Sequence, residues 1–258
     1  MLRLGVLGWP VAHSRSPAMQ NAALHALGLD DWHYQRLPVP PELFDETVRA
    51  LPAAGFHGAN VTVPHKEAAL ALATDATDAA RAIGAANTLT FDGDAIHADN
   101  TDAPGLIAAL PGPVTGLTAL VLGAGGSARA AAYALREAGA AEVRVHNRTA
   151  QRARDLADAL GVAHAEAIGP ADVLVNCTTV GLHDAQAAPL DLHALDYATV
   201  VDLVYREGGT ALVRAAQAAG LETVDGLEIL VQQGALSLAH WTGREAPVDV
   251  MRAAALSP

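Results

Sequence analysis

The chain has little cysteine: Cys177 is the only one in 258 residues, so no disulfide can form within it. That usage fits a reducing compartment. It is also short of basic residues. Lys and Arg total 16 against 28 Asp and Glu, for a formal net charge of −12 and a pI of about 5.2. Nucleic acid as the main partner is excluded on that balance, because binding a phosphate backbone needs a basic surface. A local basic pocket for one small anion remains open. Long hydrophobic runs are missing as well. Alanine raises the mean hydropathy to +0.22, but charges interrupt the alanine-rich runs, and no clean stretch of about 18 apolar residues occurs. The N-terminal "MLRLGVLGWP" reaches a glycine turn at Gly8 without the long apolar core of a secretion leader. His13, His65 and His97 have no metal-ligand spacing, so no metal is expected and these histidines read as surface or structural residues. The expectation is a soluble cytoplasmic protein without membrane or nucleic-acid partners.

What is present is a regular alternation of strand-like and helix-like segments. At 258 residues the chain is long enough for one large or two ordinary domains, and its 51% of hydrophobic residues allows a sizeable core. In the first region, 2–8, 31–39 and 58–63 read as strands. "SPAMQNAALHALGL" (16–29) reads as a helix with Ser16 as its N-cap, Pro17 at its first position and Gly28 at its stop. The segments 41–55 and 64–73 read as helices, the latter starting at Pro64, and 87–99 as a hairpin around Asp92-Gly93. A second series begins near 118 and repeats strand, turn and helix to about residue 219. Such alternation predicts an α/β fold with parallel sheets covered by helices. The tail 226–243 is helical in pattern. If it packs on the first region, the first domain is discontinuous, residues 1–103 with 226–258, around a second domain of residues 104–225, with a cleft between the two.

Two stretches in the second series carry chemistry. "VLGAGGSARA" (121–130) supplies Gly123, Ala124, Gly125, Gly126 and Ser127 between a strand and a helix, with Ala128 at the third small position. That is the dinucleotide fingerprint: a tight turn, close backbone approach to a pyrophosphate, and a helix N-terminus facing it. About twenty residues on, where an NAD site offers a carboxylate to the ribose hydroxyl, this chain offers Asn147, Arg148, Thr149 and Arg152. Arginine forks match a 2′-phosphate, so the expected cofactor is NADP. In the first region, Ser14 and Ser16 sit on a loop entering a helix, where their hydroxyls suit a carboxylate or Ser16 acts only as a cap. Asn60, Thr62, Lys66, Asn87 and Asp102 fall near strand ends, where ligands bind in open α/β sheets. Lys66 stands at the start of a helix, where its charge opposes the helix dipole and stabilises nothing.

The stretches "HSRSPAM", "NVTVPHKE", "GAANTL", "DNTDAPG", "GAGGSARA", "NRTAQR", "DLVY" and "DGLEILVQQG", in this order and spacing, resemble the shikimate dehydrogenase family from end to end. The resemblance implies a two-domain, discontinuous α/β fold, with a substrate-binding domain and a Rossmann-like NADP-binding domain. It implies NADP-dependent interconversion of 3-dehydroshikimate and shikimate on the route to chorismate and the aromatic amino acids, by a monomer or homodimer. Carried over by motif, Ser14 and Ser16 would hold the substrate carboxylate. Thr62, Asn87 and Gln233 would bind its hydroxyls, with Tyr205 close by. Lys66 and Asp102 would be the catalytic pair. Leu203 and Gly226 would lie near the nicotinamide and Asp78 at the edge of the cofactor site. The chain departs from the family in Gln20 where histidine is frequent, in His65 where another aromatic residue is frequent, and in "NCTTVGL" with Leu182 where methionine is frequent. Alternatives are a quinate/shikimate dehydrogenase of broader cofactor use and a non-catalytic NADP-binding regulator. The latter is expected to lose Lys66 or Asp102, and both are present.

Overall fold

In the computed structural model, which describes residues 1–193 and 195–257, the described residues form two six-stranded sheets. Each belongs to one of two units, Met1–Thr101 with Leu230–Pro258, and Asp102–Ile229. The first sheet contains β1 (Leu2–Gly8), β2 (Trp32–Pro38), β3 (Phe56–Val61), β4 (Asp75–Ala76), β5 (Thr88–Asp92) and β6 (Ala95–Asp99), in the order β2-β1-β3-β5-β6-β4. β1 pairs with β2 and β3 in parallel, whereas β5 runs antiparallel to β3 and β6. The sheet is therefore mixed and not wholly parallel. The chain turns back from β5 to β6 in the hairpin turn, where Gly93 adopts φ +57°, a conformation that costs glycine little.

Helices α1 (Ser16–Ala26), α2 (Phe44–Ala50), α3 (Lys66–Leu72) and α4 (Asp78–Ile83) join these strands. Two starts differ from the sequence reading. Ser16 is the first residue of α1 and not its cap; Arg15 holds the cap position without a side-chain cap bond. The Ser16 N–H instead donates to Ser14 Oγ at 3.3 Å. α3 starts at Lys66 and not at Pro64, because the His65 N–H donates to the Thr62 carbonyl at 3.0 Å and the turn so formed takes up Pro64 and His65. Ala69 and Leu72 of α3 face a core with Phe44, Val48, Val61 and Leu89.

The second sheet contains β7 (Thr118–Leu122), β8 (Glu142–His146), β9 (Ala163–His164), β10 (Val173–Asn176), β11 (Thr199–Asp202) and β12 (Glu222–Val224), in the order β12-β11-β10-β7-β8-β9. Its pairings are all parallel. Counted from β7, this is the doubly wound order of dinucleotide-binding sheets, with its switch point between β7 and β10. "VLVN" of β10 is buried along its whole length, as a strand covered by helices on both faces must be. The helices of this unit are α5 (Asp102–Ala109), α6 (Gly126–Glu137), α7 (Ala150–Leu160) and α8 (Ala211–Ala218). α9 (Gly226–Thr242) carries the chain back into the first unit, where α10 (Val248–Leu256) packs on α1. Among the described residues no helix is long and apolar enough to cross a membrane.

Candidate active site

Strand direction gathers the first group of residues. Because β1 and β3 are parallel and β5 is antiparallel to its neighbours, the ends of β1, β3 and β6 and the start of β5 fall on one edge of the sheet. Backbone bonds stitch the segments leaving that edge. Trp9 N–H donates to the Val63 carbonyl at 3.0 Å, Val61 N–H to Asn87 at 2.8 Å, Ala86 N–H to Lys66 at 2.8 Å and Asn87 N–H to Asp99 at 3.0 Å. Gly8 permits this convergence, since a Cβ there would stand 2.5 Å from Thr62 Cγ2.

The edge holds Ser14 and Ser16, both buried, the half-buried Thr62, and the buried Lys66, Asn87 and Gln233. Ser14 is fixed through its carbonyl oxygen, which accepts from Arg36 Nε at 3.1 Å and Nη2 at 2.7 Å. Asn87 Nδ2 donates to Gln233 Oε1 at 3.1 Å. Lys66 is 8% exposed. It is also the only lysine in the chain, against 15 arginines. That count is legible from composition and singles out Lys66 more sharply than its helix position does. His65, expected at the surface or as a structural residue, is buried. Its Nε2 lies 2.7 Å from the Val39 carbonyl, and its ring stacks on Phe44. Burial holds the imidazole pKa below its usual value, against the opposing bond to Val39.

Asp102 is the first residue of α5 and belongs to the second unit. The residue before it, Thr101, donates its N–H to Asn87 Oδ1 at 2.7 Å. Asp78 is fully exposed in the first unit, 3.4 Å from Arg81. Tyr205 is half-buried in the second unit, beyond the end of β11. Among the described residues no three His, Cys, Asp or Glu side chains group as metal ligands.

The second unit presents the glycine turn at its switch point. Gly123, at φ +112°, would bring a Cβ within 3.2 Å of the Cys177 backbone across that point. Gly125 precedes α6 in extended conformation, no side chain caps that helix, and a Cβ built on Gly125 meets nothing within 4 Å. An uncapped helix N-terminus behind an open glycine surface fits a pyrophosphate. Ala124 and Ser127 flank it. After β8, Asn147 Nδ2 donates to the Thr149 carbonyl at 3.0 Å, tightening the turn into α7. Arg148 and Arg152 are exposed there, and neither pairs with a carboxylate among the described residues. Two uncommitted guanidinium groups, with no acid between β8 and α7, fit a 2′-phosphate.

Leu203 and Gly226 are in close contact: a Cβ on Gly226 would overlap the Leu203 carbonyl oxygen at 2.2 Å. Asp202 anchors this corner. Its Oδ1 accepts from Asn176 Nδ2 at 2.8 Å and Val204 N at 3.0 Å, and its Oδ2 from Thr210 Oγ1 at 2.6 Å. Burial raises the Asp202 pKa despite these three donors.

Comparison with known proteins places these features in one family. The model of the shikimate dehydrogenase substrate-binding domain matches residues 6–89, that of shikimate/quinate 5-dehydrogenase residues 108–180, and that of the shikimate 5′-dehydrogenase C-terminal domain residues 226–256. The NADP+-dependent shikimate dehydrogenase of Anaeromyxobacter dehalogenans is 48% identical over 96% of this chain and 94% of its own. The shikimate 5-dehydrogenase of Thermus thermophilus, solved in complex with NADP(H) and shikimate, is 44% identical, with a TM-score of 0.91 over 99% of this chain and 98% of that one. A 5-ketofructose reductase from Gluconobacter shares the fold at 32% identity and a TM-score of 0.86, covering 98% of this chain and 97% of its own, so fold alone does not set the substrate. By full-length identity well above that level, this chain belongs to the shikimate dehydrogenase family.

Proposed function

We propose that the chain is an NADP-dependent oxidoreductase that interconverts 3-dehydroshikimate and shikimate, a step toward chorismate and the aromatic amino acids, in the cytoplasm. The observation that carries this reading is the gathering of Ser14, Ser16, Asn87, Gln233 and the single lysine, Lys66, on one edge of the first sheet. The serine hydroxyls take the carboxylate, and Thr62, Asn87 and Gln233 take the ring hydroxyls, with Tyr205 completing the substrate contacts. Asp102 is the second catalytic group. In the second unit, the turn 123–127 takes the pyrophosphate, residues 147–149 and Arg152 the 2′-phosphate, and Leu203 and Gly226 the nicotinamide. Asp78, a residue of the first unit, is assigned to the edge of the cofactor site by the family motif.

Held by these residues, NADP(H) would supply the hydride for the C3 carbon in reduction and accept it in oxidation. The chain must then manage one proton on the C3 oxygen. Lys66 donates it during reduction and removes it during oxidation, the work of a general acid–base group. Asp102, the acidic residue of the family motif, orients Lys66 and the C3 hydroxyl for that transfer.

Lys66→Ala tests this reading. It should lower kcat for shikimate by at least about 10²-fold while leaving the KM for NADP near the wild-type value. The melting temperature should hardly move, since the lost charge opposed the dipole of α3. Near-normal turnover together with a lower melting temperature would make Lys66 a structural residue and remove the proposal.

A further inference from the structure

We propose that Ser237 is a positioning residue, which holds the Thr101 hydroxyl that receives the Asn87 amide; this rests on the substrate reading given above. Ser237 is fully buried on α9, four residues after Gln233 and on the same helix face. Its hydroxyl has four polar neighbours. Asn60 Nδ2 donates to it at 2.9 Å, Thr88 Oγ1 lies at 2.9 Å and Thr101 Oγ1 at 3.0 Å, and it donates to the Gln233 carbonyl at 3.0 Å.

The amide orientations follow from groups that can act in only one way. The Thr101 backbone N–H can only donate, so the Asn87 atom 2.7 Å away is its oxygen. Asn87 Nδ2 then faces Thr101 Oγ1 at 3.0 Å and Gln233 Oε1 at 3.1 Å. The Leu230 carbonyl can only accept, so the Gln233 atom 2.7 Å from it is Nε2. Both amides therefore have a single orientation. The Thr101 hydroxyl accepts from Asn87 and lies 3.0 Å from Ser237 Oγ, with Asn87 Oδ1 and Thr88 Oγ1 each at 3.2 Å as its other partners. Ser237 Oγ accepts from Asn60 and donates to the main-chain carbonyl of Gln233, which leaves it one lone pair for the Thr88 and Thr101 hydroxyls. Without Ser237, the Thr101 hydroxyl keeps Asn87 and Thr88 as neighbours at 3.0 to 3.2 Å, and the acceptor that holds the Asn87 amide loses its anchor on α9. No backbone position on the sheet edge depends on this hydroxyl, so its loss should alter recognition more than folding.

The test is Ser237→Ala, with KM and kcat measured for shikimate and for an analogue lacking one ring hydroxyl. The variant should raise the KM for shikimate about tenfold, the scale of one buried donor left unpaired. It should leave kcat within about threefold and the KM for NADP unchanged, the pattern of lost binding without lost chemistry. Preference for shikimate over the analogue should fall with it. Ser237→Cys, close in size but a weaker donor and acceptor, should fall between; it carries the same test if the alanine variant does not fold. A lower melting temperature with unchanged KM and unchanged preference would overturn the proposal while the functional reading stands. A wild-type chain inactive on shikimate would overturn both.

Discussion

A buried histidine borders the lysine on which turnover is proposed to depend. The His65 ring lies 4.3 Å from the Phe44 ring at 11°, with Nε2 on the Val39 carbonyl. Burial sets its pKa below the usual 6.5, so the folded state prefers the neutral ring. A depressed histidine pKa contributes stability that is fully present above the unfolded value and is lost as pH falls through the folded one. The wild-type melting temperature should therefore fall more between about pH 7 and about pH 5 than that of His65→Phe, which keeps the stack but cannot titrate. Parallel melting curves across that range would contradict this account of the site. At this scale the sequence is informative where a residue type is rare in its role, as with Lys66 or with paired serines before a helix. Burial of His65 and the fork from Arg36 to the Ser14 carbonyl are not legible in it, because both depend on contacts between residues 36–44 and loops distant from them in sequence.

At the scale of elements, the corner after β10 and β11 depends on one carboxylate. Asp202 ties Asn176, Val204 and Thr210 together, and Thr210 in turn caps α8 by accepting from Val213 N at 3.2 Å. Burial raises its pKa. A raised carboxylate contributes stability that is fully present below the unfolded pKa and is lost as pH rises through the folded one. Asp202→Asn keeps an acceptor for Asn176 and Val204 without the buried charge. The melting temperature of the variant relative to wild type should therefore be more favourable at about pH 8 than at about pH 4.5, and the opposite trend would show that the charge itself holds the corner. Most elements are readable from pattern: β1 and the hairpin β5–β6 follow alternation and turn chemistry, and β7–α6 follows the glycine fingerprint. The sequence reading does not identify β4, β9 and β12, of two or three residues each, which are too short to carry a period, nor the helices α4, α5 and α10; the proline and glycine of α5, "DAPGLIAA", read as loop. The start of α3 differs from the expected one because a proline at a helix start and a proline in the preceding turn look alike in sequence.

The first unit carries a sheet edge suited to a hydroxylated carboxylate, and the second a glycine turn and two exposed arginines suited to a phosphorylated dinucleotide. The fold class is legible from the strand–helix alternation, and the cofactor from the missing acid after β8. Substrate identity comes from motif order and not from periodicity, since a 5-ketofructose reductase shares this fold. The measurement that tests the central claim most directly is the initial rate with shikimate and with quinate, each with NADP+ and with NAD+, for wild type and for Arg148→Ala combined with Arg152→Ala. The account predicts the highest kcat/KM for wild type with shikimate and NADP+. In the double variant the KM for NADP+ should rise at least about tenfold, since each charge-assisted bond to a phosphate contributes about 1.5–3 kcal/mol, while NAD+ use stays close to wild type. Wild type preferring quinate or NAD+, or a double variant with an unchanged KM for NADP+, would contradict it.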